Sequence, residues 1–202
     1  MDFDKVAKVW DTDYREKRGS IVASEISKFL DSKKDKVALE IGCGTGLVSL
    51  NLSDSFKELD LIDNSKEMIE VLREKINSKG IKNINPINCS IEDLKDFKKY
   101  DFIFSSLVLH HIDDIKLMFL KIKNLLNING KVCIVDFVND NGEFHADEKE
   151  FKGHDGFNVK SLKEIIKDSG FKNIESYDFY NGIKTNSLGK VKYTLFIISF
   201  EI

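Results

Sequence analysis

Ten consecutive residues constrain this chain more than any others: Val37-Ala38-Leu39-Glu40-Ile41-Gly42-Cys43-Gly44-Thr45-Gly46. The first five read as a short buried strand. The rest is a glycine-rich turn, with an acidic residue, Glu40, just before it. Glycine removes the side chain where a backbone bends sharply and where a ligand presses against it. The spacing selects among ligands. A dinucleotide fingerprint is G-x-G-x-x-G, which, counted from Gly42, puts its third glycine at position 47. Position 47 is Leu, and the third glycine comes one residue early, at Gly46. That spacing disfavours a nicotinamide-dependent reductase. The next apolar run, Leu59 to Ile62, ends in Asp63, 21 positions after Gly42. This is close to the ~20 expected of an acidic residue that grips a ribose at the tip of the second strand. A carboxylate suits the task because it accepts from both ribose hydroxyls at once. Asn64 and Ser65 are available to cap the helix that follows, which leaves Asp63 for the ribose.

The remainder of the chain alternates. Helical pattern runs from Phe3 to Leu30, with a break expected at Gly19-Ser20. Strands are expected at about 37–41, 58–63, 84–88, 100–105 and 131–136. Helices are expected near 45–54, from Ser65 to Lys79 with Gly80 as C-terminal cap, and from Ile115 to an end at Asn129-Gly130, where Ile115, Met118, Phe119, Ile122, Leu125 and Leu126 form an apolar stripe. The only proline, Pro86, belongs on an edge strand or at a bulge. Such alternation implies a parallel sheet with helices on both faces. After position 137 a polar, glycine-punctuated stretch gives way to a helix near 161–169. Two strands close the chain, about 172–180 and 191–200, with a turn-rich segment between them. Tyr193 to Phe200 is apolar enough for a central strand.

With these residues in view, the chain resembles the class I S-adenosylmethionine-dependent methyltransferases. The turn E-x-G-x-G-x-G is similar to that family's first motif. Asp101 to Ile112 resembles its fourth-strand motif. Leu125 to Lys131 resembles the approach to its fifth strand, with Ile128-Asn129-Gly130 where a Pro-Gly-Gly turn is more usual. The resemblance implies an α/β fold: a doubly wound, seven-stranded, mostly parallel sheet whose antiparallel last strand lies between the fifth and sixth. Helices cover both faces, and N-terminal helices are added. One domain is expected over 1–202, with a helical lid at 1–35, a cofactor-binding core at 36–138, and a lid segment with closing helix and strands at 139–202. The implied cofactor is S-adenosyl-L-methionine. Its expected contacts are Glu40, Gly42, Cys43, Gly44, Asp63, Asn64, Met68, Ser90, Ile91 and Ser105. Ser90 stands where the family often has an Asp toward the adenine amino group, and the backbone amide of Ile91 is a second adenine contact.

An acceptor pocket is expected beyond the carboxyl ends of strands four and five. That places His110, His111, His154, His145, Phe137 and Phe144 nearby, with Trp10 and Tyr14 as lid residues. The catalytic residue stays unassigned among the pocket histidines His110, His111 and His154. A metal site is not expected: Cys43, Cys89 and Cys133 lack zinc-ligand spacing and read as buried thiols.

The chain has 202 residues, is 42% hydrophobic and carries a formal net charge of -3. It has no electrostatic footprint for nucleic acid or an anionic membrane. No secretion signal or membrane span is evident, so a cytoplasmic monomer or homodimer is expected. The leading reading is methyl transfer to a small-molecule acceptor. The alternatives are a methyltransferase acting on protein or RNA, and a non-catalytic S-adenosylmethionine-binding protein. The tetrad Ser105-Ser106-Leu107-Val108 lacks an Asn-Pro-Pro-Tyr-like pattern, which argues against amino-group methylation of bases or glutamine.

Overall fold

The computed structural model describes residues 2–30, 34–95, 98–148 and 151–202. Seven strands form one sheet: β1 (Val37–Ile41), β2 (Glu58–Asp63), β3 (Ile84–Asn88), β4 (Tyr100–Ser106), β5 (Leu126–Phe137), β6 (Lys172–Asn186) and β7 (Gly189–Glu201), in the order β3-β2-β1-β4-β5-β7-β6. The first five are parallel to one another, and β7 runs antiparallel to both its neighbours, β5 and β6. This is the expected doubly wound sheet. Pro86 lies on β3, an edge strand, where its missing N–H costs no ladder bond on the open side.

Strand residues alternate between two cores, as the period of two requires. Phe102, Phe104, Cys133, Val135, Leu195 and Ile197 pack on one face with Val22 and Ile26 of α2 (Asp13–Ser27), Leu52 of α3 (Ser49–Leu52), and Ile69, Leu72 and Ile76 of α4 (Lys66–Lys79). Ile103, Val132, Ile134, Phe196, Ile198 and Phe200 pack on the other with α5 (Ile115–Leu125) and α6 (Val159–Asp168). Helix ends follow the sequence signals. The Ser65 side chain accepts from Met68 N–H at the start of α4, and Gly80 takes a left-handed conformation at its end.

Four expectations are corrected. The helix expected to end at Asn129-Gly130 stops at Leu125, and β5 starts at Leu126, five residues before the strand was expected, because Leu126 is extended and pairs with Tyr100 of β4. The helix expected at 45–54 is only α3 with a 3-10 turn at Ser53–Ser55. Gly44 and Gly46 have φ of +52° and +82°, so a right-handed helix cannot start until the loop is past. The break expected at Gly19-Ser20 does not exist, and α2 runs through it. Gly19 serves packing: a Cβ there would lie 2.7 Å from the Leu47 carbonyl oxygen, so its absence lets α2 lie against the glycine loop. The segment expected to be turn-rich near 181–190 is instead the far half of a long hairpin. β6 and β7 pair as far as Asn186 and Gly189, because pairing satisfies backbone groups that an open loop would leave to solvent. Gly182 faces Tyr193 in this pairing, and the Tyr193 ring fills the space a Cβ would occupy.

Candidate functional site

The carboxyl ends of β1, β2 and β4 open on a cavity of about 430 Å³, a size typical of small-molecule sites. The turn after β1 forms its floor. Gly42 and Cys43 donate backbone N–H bonds to the Ile62 carbonyl, at 2.8 and 3.0 Å. Gly44 N–H goes to Asp63 Oδ2 at 2.8 Å. The three glycines differ in purpose. A Cβ at Gly42 would lie 2.3 Å from Val108, and one at Gly46 2.5 Å from Leu72. A Cβ at Gly44 would meet nothing within 4 Å. Gly42 and Gly46 therefore serve packing, while Gly44 turns a bare backbone toward open space.

Two carboxyl groups face this floor. Glu40 is 2% exposed and lines the cavity. Its Oε2 has no hydrogen-bond partner among the described residues. Burial, opposed by the nearby Ser49 hydroxyl and helped by the charge of Asp63, pushes its pKa up to about 8. An orphaned buried acceptor of this kind is costly unless a donor comes to it. Asp63 is better supported. Its Oδ1 accepts Ser65 N–H at 2.8 Å, and its Oδ2 accepts from Gly44. Each oxygen keeps one further acceptor position. Burial raises its pKa, and the two N–H donors act against that.

An N-terminal segment crosses the cavity. Asp4, in α1 (Phe3–Val6), accepts from the Ser65 hydroxyl at 2.6 Å and from Glu67 N–H at 3.2 Å. Asp11 binds the Thr45 hydroxyl of the glycine loop and pairs with Lys75 of α4. Between these two ties, Phe3 and Trp10 meet edge to face at 5.6 Å, and Phe3 meets His111 at 5.5 Å. Arg15 lies 4.0 Å over the Trp10 ring.

Beyond β4 the backbone turns sharply. Leu107 has a φ of 60°, unusual for a branched side chain, and its N–H is held by the Val135 carbonyl at 2.9 Å. The turn delivers His111 to the cavity. Burial, and then neighbouring His110, hold the His111 pKa down to about 4, so the ring is neutral at pH 7.

A sequence profile of the methyltransferase domain matches residues 32–179. The chain belongs to the methyltransferase domain family. The cofactor that goes with this membership is S-adenosylmethionine. Among its relatives, malonyl-[acyl-carrier protein] O-methyltransferase 1 of Ilyobacter polytropus is 37% identical over 110 residues, covering 54% of this chain and 40% of the relative. An uncharacterised methyltransferase of Schizosaccharomyces pombe is 30% identical over 152 residues, 68% of this chain and 54% of that one. The chain thus spans about half the length of these curated relatives. Among solved structures, a methyltransferase from Aquifex aeolicus superposes over 100% of both chains, with a TM-score of 0.70 and 18% identity. Phosphoethanolamine N-methyltransferase 2 of Haemonchus contortus, in complex with phosphomonomethylethanolamine and S-adenosylhomocysteine, gives a TM-score of 0.73 at 16% identity. It covers 91% of this chain and 52% of that one. These two likenesses concern the fold.

The methyltransferase cavity gathers most of the residues expected for the cofactor: Glu40, Gly42, Cys43, Gly44, Asp63, Asn64, Met68, Ser90 and Ile91 all line it. Ser105 does not. Its buried hydroxyl donates to the Ile41 carbonyl at 3.0 Å, tying β4 to β1, and Ser106 lines the cavity instead. The alternation of side chains along a strand decides this. Ser90 is engaged with Asp93, its hydroxyl 3.0 Å from the carboxylate. Burial pushes the Cys43 thiol well above its ordinary range, which keeps it protonated and unreactive.

The pocket histidines separate. His111 lines the cavity, and His110 and His154 do not. His110 is buried, with Nδ1 2.7 Å from Asp136 Oδ1 and its backbone N–H on Asp136 Oδ2 at 3.1 Å. It packs at 4.1 Å against His111 and so fixes that ring from behind. His154 Nε2 sits 3.0 Å from the Ile112 carbonyl. His145, Phe137 and Phe144 form an aromatic cluster with His110 and Tyr193. Trp10 lines the cavity as expected, whereas Tyr14 is hydrogen-bonded to the Tyr193 hydroxyl.

Sequence reasoning missed Phe3, Arg15, Arg18 and Val108, which also line the cavity. A signal for the arginines existed. Arg15, Arg18, Gly19 and Val22 follow i, i+3, i+4, i+7 spacing and face one way on a continuous helix. Splitting the helix at Gly19 hid that stripe.

Proposed function

We propose that this chain transfers a methyl group from S-adenosylmethionine to a small-molecule acceptor by direct in-line displacement. The observation that carries the reading is the orphaned Glu40 carboxyl, buried in the same cavity as the open face of Gly44 and the carboxylate of Asp63. An ammonium, a close-packed chain and a ribose diol would satisfy these three features in turn. Glu40 would take the ammonium of the methionine part. Gly42, Cys43 and Gly44 would present backbone, and Asp63 the ribose acceptors. Asn64, Met68, Ser90 and Ile91 would enclose the adenine.

When bound, S-adenosylmethionine supplies a methyl on a sulfonium whose leaving group is a neutral thioether, so no acid is required. What the chain contributes is orientation in a dry site, worth roughly 7–11 kcal/mol in ideal cases. The segment from Phe3 to Trp10 excludes water. A base is needed only for an acceptor that keeps its proton into the transition state. His111 is placed for this, neutral at pH 7 and braced by His110 and, behind it, Asp136. The relatives support a small acceptor: one curated relative is a ubiquinone biosynthesis O-methyltransferase of Rickettsia canadensis. The cavity volume and its N-terminal cover support it too. A cytoplasmic place and a monomeric or homodimeric state belong to the same proposal.

Calorimetric titration with S-adenosylmethionine, S-adenosylhomocysteine and NADH tests the cofactor. Binding of the first two and not the third is expected, and the reverse would overturn the reading. Turnover on a panel of small acceptors then tests the reaction. Tight cofactor binding without turnover on small molecules, but with methylation of a protein or RNA, would replace the acceptor class.

A further inference from the structure

We propose that the methyl acceptor carries an anionic group, a carboxylate or a phosphate, held by Arg18, whose guanidinium the Tyr193 hydroxyl positions. This rests on the methyltransferase reading above and concerns the acceptor end of the same cavity.

Arg18 lines the cavity from α2. Its Nη1 donates to the Tyr193 hydroxyl at 3.3 Å, and its Cζ lies 5.7 Å from the Tyr14 ring. Tyr14 and Tyr193 are joined hydroxyl to hydroxyl. Tyr193 is fixed by Gly182 across the hairpin and by ring edges of Phe137 and Phe144 at 5.5 and 5.0 Å. A guanidinium and two phenols thus stand together on rigid elements.

Charges of both signs surround the guanidinium groups, and among them the stronger influence on Arg15 is Arg18, ahead of Asp11. Among the described residues neither Arg15 nor Arg18 forms an ion pair, and nearby Asp11 is engaged by Lys75. Lys184, on β6, brings a third cation, its Nζ 2.6 Å from the Phe144 carbonyl and 3.8 Å from Glu148. Burial lowers the Lys184 pKa, opposed by Glu148 and Asp147 and aided by Arg15 and Arg18; burial and then Arg18 lower that of Arg15, opposed by Asp11. The cavity's carboxylates, Glu40, Asp63 and Glu92, sit on β1, at the end of β2 and just after β3, on the cofactor side. Partly desolvated like charges repel, and an anion brought among them relieves that repulsion. Arginine matches carboxylate and phosphate oxygens with paired donors.

An anion in this cavity has two sources, the acceptor and the carboxylate of the cofactor's methionine part. The two arginines divide them. Arg15 is tied to the Trp10 carbonyl at 3.0 Å, and Asp11, the next residue, holds Thr45 of the glycine loop, which places Arg15 at the cofactor end. Arg18 is tied to Tyr193, on β7 beside β5.

The test titrates the S-adenosylhomocysteine-loaded protein with inorganic phosphate and with succinate. Wild type should bind at least one of them at millimolar concentration. Arg18→Gln should weaken that binding by about 10- to 100-fold, the loss of one charge-assisted hydrogen bond. S-adenosylhomocysteine affinity should stay unchanged. Lys184→Gln, a second variant on β6, should weaken anion binding less. Absence of phosphate and succinate binding to the loaded wild type, or equal binding by Arg18→Gln, overturns the proposal. So does a loss of S-adenosylhomocysteine affinity in Arg18→Gln with 5′-methylthioadenosine affinity unchanged, because the guanidinium then belongs to the cofactor carboxylate. Failure of wild type to bind S-adenosylhomocysteine overturns the methyltransferase reading itself, and this proposal with it.

Discussion

The two ends of the cavity are built in different ways. The proposed cofactor end consists of short loops that follow β1, β2 and β3, each set by residues adjacent in sequence. Gly42 to Gly46 form one loop, Asp63 to Ser65 the next, and Cys89 to Glu92 the third. Its polar groups are acidic and partly unsatisfied. The proposed acceptor end, Arg18 and the residues behind it, is assembled from distant parts. The Tyr14–Tyr193 and Arg18–Tyr193 contacts span 179 and 175 positions, and Lys184 reaches Phe144 across 40. Its polar groups are cationic and phenolic, set in aromatic packing. A local loop can hold one cofactor on a fixed scaffold, while a surface gathered from α2, β6 and β7 changes with any of its parts. Function on such a fold lives in the site and not in the architecture.

The sharpest way to break this comparison is Gly44→Val. A side chain there enters open space, so the fold should survive at a cost of about 1–2 kcal/mol for the left-handed backbone, while S-adenosylmethionine binding falls below detection. Gly46→Val should do the opposite and lose stability first, because its Cβ strikes Leu72. Melting curves and calorimetry on the pair separate the two. Unchanged affinity in folded Gly44→Val would remove the glycine loop from the site.

Asp63→Ala should cost roughly 1.5–3 kcal/mol of cofactor affinity, about 10- to 100-fold. It also leaves the N–H groups of Gly44 and Ser65 without their acceptor, so a modest fall in melting temperature should accompany it. A 2′-deoxyribose analogue isolates the ribose contact. Wild type should bind it poorly, and the mutant should discriminate little. If the mutant keeps the full preference for the 2′-hydroxyl, Asp63 is a brace for the loop and nothing more.

Tyr193→Phe probes the other end. It should raise the acceptor KM by up to about tenfold, the worth of a single hydrogen bond, and leave the cofactor Kd alone. A change in cofactor Kd would show that the two ends are not separate.

The smallest effect concerns Glu40 and pH. Its folded pKa of about 8 stands above its ordinary value of 4.5. Between these values the unfolded chain has released the proton and the folded chain has kept it, so stability falls as pH rises through that window. Glu40→Gln does not titrate. Its melting temperature should match wild type near pH 4 and exceed it near pH 8, with the gap widening as pH rises between the two. Cofactor binding to wild type at pH 7 should release a proton, measurable as a buffer-dependent heat. A binding heat that does not depend on the buffer would show that Glu40 is already ionised or stays neutral.

The sequence by itself determined the alternation of strands and helices and the glycine-rich turn, while the switch of direction at the end of the sheet came from the family resemblance. The alternation and the turn depend on period-two and period-3.6 patterning, on glycine conformation and on spacing along one strand-turn-helix unit, all of which are local. Where the local reading failed, a tertiary contact had overridden it. Gly19 reads as a helix breaker, yet it stays helical because the Leu47 backbone needs the space. Ser105 and Ser106 are indistinguishable as types, and only the sheet's register decides which one faces the ligand. His110 and His111 are likewise adjacent and alike. Asp136, on β5, claims the first and leaves the second to the cavity. The cluster of Tyr14, Arg18 and Tyr193 was decided by tertiary structure alone, because its charge and hydroxyls meet only once β7 has packed beside α2.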